Sequence, residues 1–506
     1  MYIKSITIEN LRCFGKAELE LQYPGKEQEA PPKLPNINLL LGNNGSGKTT
    51  ILKALALAAL SRVIAQSGFV PYRLVRRTNA PSNPITEAVI TAEVLLHRQD
   101  IGGPSPDSQR QETVSMRVVR RGETHEEITP ANGDRAASQD APDIWEGMYD
   151  DKSPAFLIVG YGASRRVEYS KNVDLTAQQK SRLLRYQRVA GLFESHIALV
   201  PLSFWLPEFQ KKNPGRHKQV VNLIDKLLPE GASFTGEYQD EEYLFELNGS
   251  KIPFGALSDG YRAYIGWVAD LLYHICTGAP SGVKLVDNRG LVMVDEIDLH
   301  LHPEWQRSVT AALSAALPNI QFVFSTHSPI VAGSLNRENI FVMETESTGV
   351  STVHQYEERI YGLNAEQVLL SSYFNLKTTR AETFTDELRD LSDLAGKGDL
   401  KAALSFMQKL SGEPLTAQAS ALVAGNGASA KRRDAPATAS PVRGSLTVSG
   451  KRKAAATGGS VSESRGGGKA GGSTARRPSK GDALVRGLAV GKKSSKSSAK
   501  KYGRKR

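Results

Sequence analysis

The residues best suited to chemistry form a glycine-rich run that fits the pattern G-x-x-x-x-G-K-[ST]. The run follows an apolar segment at 37–41, and a helix is predicted from about Lys48. Glycines allow successive backbone N–H groups to surround phosphate oxygens, and the start of a helix adds partial positive charge. We therefore predict that Lys48 contacts the β- and γ-phosphates of a nucleotide and that Thr49 ligates Mg²⁺. The predicted nucleotide-binding residues of this run are Gly42, Asn43, Asn44, Gly45, Ser46, Gly47, Lys48, Thr49 and Thr50.

Two carboxylates, Asp295 and Glu296, end a second apolar run at 291–294. Such a run is typical of a buried parallel strand, and ligands bind at the carboxyl ends of these strands. We predict that Asp295 holds Mg²⁺ through water and that Glu296 is the general base that activates the attacking water. Standing alone, the pair would more often be a solvated strand end. Beside the phosphate loop, it is the expected second half of a site for hydrolysis.

Two further sets of residues are weaker candidates by themselves. Ser258 and Gly260 precede a long predicted helix, where a hydroxyl and free N–H groups offer another anion site or an ordinary helix cap. His327 follows an apolar run and could bond a γ-phosphate oxygen, although such a histidine is more often a polar loop residue. The order along the chain adds weight to both, because Ser258 lies 210 residues after Lys48, Asp295 lies 37 after Ser258, and His327 lies 32 after Asp295.

This ordered set of motifs resembles the ABC ATPase superfamily, with its Walker A, LSGGQ-like, Walker B and switch-histidine elements. The resemblance covers about residues 1–410. The opening at 6–14 and the run DEIDLHLHPEWQ (295–306) look like the SMC/RecF/OLD branch, which includes stand-alone bacterial AAA-type ATPases similar to Septu-like defence proteins. The resemblance implies heads that dimerise head to tail with ATP and Mg²⁺ between them. Ser258 and Gly260 of one subunit would then complete the site that Lys48 and Glu296 help to form in the other.

The resemblance also implies roles for two residues outside the main motifs. Asp298, at the position of the D-loop, would bridge the two sites of the dimer, and Arg12 would approach the nucleotide. The sequence departs from the pattern where Asp259 and Tyr261 replace the Gly and Gln of a transporter's LSGGQ. No clear Q-loop glutamine is found, and the run GYGASRR (160–166) stands roughly in its place. The coupling between lobes and a third contact to Mg²⁺ are therefore left open.

The elements that must position these residues alternate between strands and helices. Strands are predicted at 2–8, 17–21, 37–41, 155–159, 290–295, 319–325, 339–344 and 350–354. One hairpin is predicted from strands at 86–98 and 112–120, and a second turns at Asn248-Gly249. A polar, irregular insertion is predicted at 125–152. Helices are predicted at 177–197, at 216–228, from Ser258 to Cys276, from Pro303 onward, and in the last part of the head up to Ser411. With the resemblance, this predicts an α/β P-loop NTPase of ABC type. It has a mixed central sheet, an antiparallel β subdomain and a helical lobe at about 165–280.

The net charge of +11 is unevenly distributed. Residues 431–506 contain 21 Lys and Arg against three acids, about +18, whereas the rest of the chain is mildly acidic. From about 414 the sequence has few large apolar residues, so burial cannot offset the entropy of ordering it. We predict a head at 1–412 and a disordered basic tail at 413–506. The tail could bind nucleic-acid phosphates without reading sequence, or it could be a solubilising appendage.

Three functions stay open for the predicted ATPase. It could clamp DNA in repair or maintenance, as RecF-like and SMC-like proteins do, or it could be the ATPase of an anti-phage system whose effector is a separate protein. A transporter subunit is disfavoured by the missing LSGGQ glutamine, the RecF-like opening and the basic tail. The apolar run at 51–63 is interrupted by Lys53 and Arg62, and the N-terminus lacks the apolar region of a secretory signal. A cytoplasmic protein without a membrane partner is predicted.

Overall fold

The structure is a computed structural model of the chain. It describes residues 1–77, 84–101, 108–122, 125–130, 145–167, 183–280 and 282–411. The predicted tail at 413–506 lies outside the described residues, as do residues 102–107 of the predicted hairpin tip. The described residues all belong to one unit of the chain, Met1–Gly425.

Seventeen strands lie within the described residues, and eleven of them form one mixed sheet in the order β6-β5-β4-β1-β2-β17-β16-β3-β15-β14-β7. In chain order the strands are β1 (Tyr2–Leu11), β2 (Phe14–Glu20), β3 (Ile37–Gly42), β4 (Glu87–His97), β5 (Gln109–Arg120), β6 (Glu126–Pro130), β7 (Ile158–Tyr161), β8 (Arg166–Val167), β9 (Ala198–Leu199), β10 (Ala232–Ser233), β11 (Tyr238–Gln239), β12 (Glu242–Leu247), β13 (Ser250–Pro253), β14 (Gly290–Val294), β15 (Ile320–Thr326), β16 (Ile340–Thr345) and β17 (Ser351–His354).

Twelve α-helices lie within the same residues. They are α1 (Lys48–Gln66), α2 (Arg98–Ile101), α3 (Leu184–Gln187), α4 (Ala190–Phe193), α5 (Leu202–Lys212), α6 (Pro214–Leu227), α7 (Asp259–Gly278), α8 (Pro303–Ala316), α9 (Pro329–Gly333), α10 (Ala365–Leu370), α11 (Glu382–Gly396) and α12 (Leu400–Ser411). Among these helices only α1 is long and apolar enough to cross a membrane, and 67% of its apolar window is buried inside the protein. It is a core helix of the fold, packed against β1, β4, β5 and β6.

Five neighbouring strands, β16, β3, β15, β14 and β7, run parallel to one another. Their residues are mostly apolar and almost all buried, as expected for strands covered on both faces. The register pairs Leu41 with Thr326, and Val294 with Phe324 and Tyr161. The carboxyl ends of these strands therefore meet at one edge of the sheet, which brings together segments that are far apart in sequence.

The antiparallel half is continuous with the parallel half rather than a separate subdomain. Strand β2 pairs with β17 beside the parallel strands, where Ser351 lies opposite Phe14. The fully buried Gln321 side chain accepts from Ile3 N at 2.8 Å and donates to the carbonyl oxygens of Ile3 and Gln22. A buried amide that satisfies three backbone groups fixes the two halves against each other.

Two predictions about local structure are wrong. The segment 125–152 is predicted to be irregular, but Glu126–Pro130 at its start forms strand β6 against β5, with Ile128 in the core beside α1. Residues 131–144 of this segment lie outside the described residues. The Glu126 carboxylate accepts from Leu74 N at 2.7 Å and Val75 N at 3.2 Å, so a nominally polar strand has an inward-facing acid. Five residues with one large apolar side chain are too short to produce a detectable alternation.

The second correction concerns the helical lobe at about 165–280. The predicted helix at 177–197 is two short helices, α3 and α4, in the part that the structure describes. Helix α5 was missed, because Pro207 inside it lowers any helix expectation. The lobe also contains a small antiparallel sheet, β10 to β13, around the predicted turn at Asn248-Gly249.

Candidate functional site

The phosphate loop between β3 and α1 requires glycine at two positions. Gly42 has φ 152°, and a Cβ there would lie 2.4 Å from the carbonyl oxygen of Met343. Gly47 has φ 108°, and a Cβ there would lie 2.5 Å from the Phe14 ring. Both conformations are disfavoured for residues with a side chain. The loop is therefore closed against β16 on one side and against the β1–β2 turn on the other.

Lys48 begins α1 and is almost fully buried. Its Nζ donates to the carbonyl oxygens of Gly42 at 2.7 Å and Asn43 at 3.0 Å. Desolvation lowers its pKa, and the nearby carboxylates of Asp295, Glu296 and Asp298 oppose that shift. A buried ammonium whose partners are loop carbonyls is suited to receive phosphate oxygens.

The Ser46 hydroxyl lies in the same loop and is buried without a hydrogen-bond partner. Buried polar groups of this kind are normally satisfied. An anion enclosed by the loop would supply the missing partner, so the residues present fit a bound phosphate group.

Thr49 and Asp295 converge at the edge of the sheet. The Thr49 Oγ1 hydroxyl donates to Asp295 Oδ2 at 2.8 Å, and the Ser325 hydroxyl donates to Asp295 Oδ1. Ser325 Oγ in turn accepts from Glu296 N at 2.8 Å. A hydroxyl and a carboxylate held side by side are oxygen ligands of the kind that Mg²⁺ takes. The donor set therefore fits this ion.

Glu296 lies two residues after the end of β14 and has φ 50°. A left-handed conformation is uncommon for a residue with a side chain and is often found at functional sites. Its side chain is half-buried, beside the fully buried end of β14. The Arg165 guanidinium donates to the carbonyl oxygens of Asp295 and Glu296, the latter at 2.9 Å.

His327 follows β15, and its imidazole is half-buried. Desolvation and the charge of Lys48 lower its pKa, while Asp298, Glu296 and Asp295 oppose that shift. The histidine is therefore close enough to Lys48 of the phosphate loop, to the predicted metal ligand Asp295 and to the predicted base Glu296 to interact electrostatically with them. This shift favours the neutral imidazole, which can donate one hydrogen bond and accept another.

Ser258 and Gly260 lie at the start of α7. Ser258 is the N-cap residue, and its hydroxyl is exposed and makes no cap hydrogen bond. Gly260 touches the segment after Glu296, since a Cβ there would lie 2.8 Å from the carbonyl oxygen of His300. A side chain at position 260 would therefore clash with this carbonyl, which is a packing requirement for glycine that the sequence did not suggest.

The last two predicted residues are Asp298 and Arg12. The Thr326 hydroxyl donates to the Asp298 carboxylate, so this group has a partner within the same chain. Arg12 is exposed at the tip of the β1–β2 turn with φ 49°, and its backbone N donates to the carbonyl oxygen of Leu74 at 2.8 Å. Its charge contributes to lowering the pKa of Lys53 on α1, after desolvation. Arg12 therefore lies near the first turns of that helix.

Sequence reasoning missed Arg165, Ser325 and Thr326 as parts of the site. The two hydroxyl residues end a strand just before His327, a position that could have pointed to them. Arg165 gave no such signal, because it stands where a glutamine was expected and acts on backbone atoms.

Two segments of the chain match known domain families. Residues 5–72 match a family described as "AAA domain". Residues 203–332 match one described as "AAA domain, putative AbiEii toxin, Type IV TA system". The first segment contains the phosphate loop, and the second contains Ser258, Asp295, Glu296 and His327.

Comparison with curated proteins finds a Septu protein PtuA from Bacillus mycoides (strain KBAB4). It is 25% identical over 382 residues, which are 75% of this chain and 45% of that protein. A Retron Vc95 probable ATPase from Vibrio cholerae serotype O1 biovar El Tor is 41% identical over 96 residues, 19% of each chain. The chain thus spans less than half the length of these relatives.

Among solved structures, an SMC head domain from Thermotoga maritima is 16% identical with a TM-score of 0.38, covering 71% of this chain and 100% of that one.

The matches to the AAA-domain families, to Septu PtuA and to the retron ATPase confirm the predicted resemblance to AAA-type ATPases of the Septu kind. The mixed sheet and the AAA-domain matches together confirm the predicted α/β P-loop fold.

Proposed function

We propose that this chain binds ATP with Mg²⁺ at the phosphate loop and hydrolyses it. The observation that carries the proposal is the convergence of Lys48, Thr49, Asp295, Glu296 and His327 at one edge of the parallel strands. The matches to AAA domains and to relatives named as probable ATPases support it.

Each residue has a role that its surroundings permit. Lys48 and the loop amides bind the phosphates, while Thr49 and Asp295 hold Mg²⁺, which when bound neutralises negative charge on the phosphate oxygens. Glu296 takes a proton from the attacking water, and His327 hydrogen-bonds a γ-phosphate oxygen. Ser325 keeps the Asp295 carboxylate oriented through its hydrogen bond.

Two copies are proposed to close over the nucleotide head to tail. The exposed Ser258 hydroxyl and the free N–H groups of α7 would reach the phosphates held by the other copy. Asp298, Gly260 and Arg12 lie near this proposed interface. Closure would depend on ATP, because the nucleotide joins the two surfaces, and hydrolysis would separate them.

The substitution Glu296→Gln tests the catalytic part of the proposal. The amide cannot take a proton, so we expect kcat to fall by about a thousandfold while ATP affinity stays within about threefold. Turnover is measured by phosphate release and binding by titration with ATP. The variant should also accumulate an ATP-dependent dimer in light scattering. Hydrolysis at the rate of the unchanged protein would refute the role of Glu296.

For the wider process we propose an ATP-gated switch in bacterial anti-phage defence that acts with a separate effector protein. The match to Septu PtuA over three quarters of this chain supports this alternative over a RecF-like DNA clamp. The strongly basic segment 431–506 supports nucleic-acid binding in either case. Action in the cytoplasm is part of the same proposal.

Affinity purification of the full chain and of residues 1–430, with and without ATP, separates the two processes. Recovery of one protein partner supports the defence role, whereas recovery of DNA alone favours the clamp. We expect the shorter chain to retain its ATPase rate and to lose DNA affinity, with a difference that shrinks as salt rises. Equal retention of DNA by both chains would show that the basic segment does not contribute to DNA binding.

A further inference from the structure

Arg165 follows β7 in a loop that faces the end of β14. Its guanidinium donates through Nη1 to the carbonyl oxygen of Asp295 and through Nη2 to that of Glu296, the latter at 2.9 Å. Nη1 also lies 3.5 Å from the carbonyl oxygen of Gly162 in its own loop. Burial lowers the pKa of Arg165 to about 10, so the group stays charged at neutral pH. A single side chain thus connects two neighbouring strand ends through backbone atoms.

The turn that Arg165 contacts is the one that orients the proposed general base. Glu296 has φ 50°, a conformation that the surroundings must hold in place. On one side, Ser325 Oγ accepts from Glu296 N at 2.8 Å, and Ser325 O accepts from Ile297 N at 2.9 Å. On the other side, the turn is held by Arg165. Charge-assisted hydrogen bonds of this kind are stronger than neutral ones.

We infer that Arg165 is a positioning residue for hydrolysis, which fixes the left-handed turn at Glu296 and thereby the direction of its carboxylate. The inference rests on the proposed function, in which Glu296 is the general base. Arg165 does not replace a Q-loop glutamine as a metal ligand, because a guanidinium has no lone pair to offer. It acts on the base only through the backbone.

The position of Arg165 also links the turn to the lobe. The next residues form β8, which pairs with β9. Both of these strands pack against α7, the helix that begins directly after Ser258. A displacement of α7 when a second copy binds would therefore reach the Glu296 turn through Arg165.

Arg165→Met removes the donors while keeping most of the side-chain length, and the exposed neighbour provides a matched control, Arg166→Met. We expect Arg165→Met to lower kcat by at least about tenfold, with the Kd of a fluorescent ATP analogue changed by less than about twofold. Arg165→Lys, which can still donate to one carbonyl, should recover part of the rate, and Arg166→Met should keep all of it. An unchanged kcat in Arg165→Met would overturn the inference. So would an equal loss of ATP affinity and rate.

Hydrogen exchange without nucleotide separates this inference from the proposed function. The amides of Ile297 and Leu299 donate to carbonyls of Ser325 and Glu296 within the turn region. In Arg165→Met, but not in Arg166→Met, these amides should exchange at least about tenfold faster, while those of β3 stay unchanged. Faster exchange in a protein that has no ATPase activity would retain the positioning of the turn and reject the proposed function. Unchanged exchange would overturn the inference directly.

Discussion

The phosphate loop and the start of α7 both offer backbone N–H groups at the N-terminus of a helix, yet they differ in what surrounds them. Around Lys48 and Thr49, buried and partly buried hydrogen bonds connect the ends of β3, β14 and β15, and the Asp295 carboxylate is held from two sides. Around Ser258, the hydroxyl is exposed and makes no cap hydrogen bond. The first surface is assembled within one chain, whereas the second is available to another molecule. Binding and turnover should therefore respond differently to substitutions in the two regions.

The largest effect on ATP binding is expected from Lys48→Ala, which removes the buried charge of the phosphate loop. We expect ATP affinity to fall by about a hundredfold or more, because the phosphates lose a charge-assisted hydrogen bond in a desolvated site. Calorimetric titration with Mg²⁺ and ATP measures this loss. Lys53→Ala, one turn further along α1, is the matched control and should bind nearly as well as the unchanged protein.

The second test places bulk and charge at the start of α7 with Ser258→Arg. Because this surface would complete the site of the other copy in the proposed dimer, we expect steady-state hydrolysis to fall by about a hundredfold while ATP affinity stays within about twofold. Phosphate release, nucleotide titration and light scattering are measured on the same preparation. Ser392→Arg, an exposed serine on α11, controls for added charge. Loss of ATP affinity in Ser258→Arg would contradict the view that the phosphate loop binds the nucleotide within one chain while the start of α7 acts on another copy.

A smaller effect is expected from His327→Ala. His327 belongs to the region around Lys48 and Asp295, but its imidazole would contribute one hydrogen bond to the γ-phosphate rather than a full charge. We expect kcat to fall by about tenfold with little change in ATP affinity. The exposed His302 on the far side of the turn supplies the control substitution His302→Ala. If both variants turn over equally, His327 has no role in the reaction.

Part of this architecture was predictable because it depends on short-range patterns. The apolar runs before Gly42, Asp295 and His327 predicted buried strands, and the order of the motifs predicted an α/β P-loop fold, which the sheet confirms. The strand β6 and the helix α5 were not predicted, because one is short and polar and the other contains Pro207.

The sequence by itself determined which residues could bind phosphate and metal. A phosphate loop folds back on its own backbone, so the residue types and their order along the chain are enough to identify it. Only the tertiary structure decided what holds those residues in place. Arg165 contacts Glu296 across 131 positions and Thr49 contacts Asp295 across 246. Such contacts depend on strand order and register, which place distant segments at one sheet edge and leave no trace in local sequence patterns.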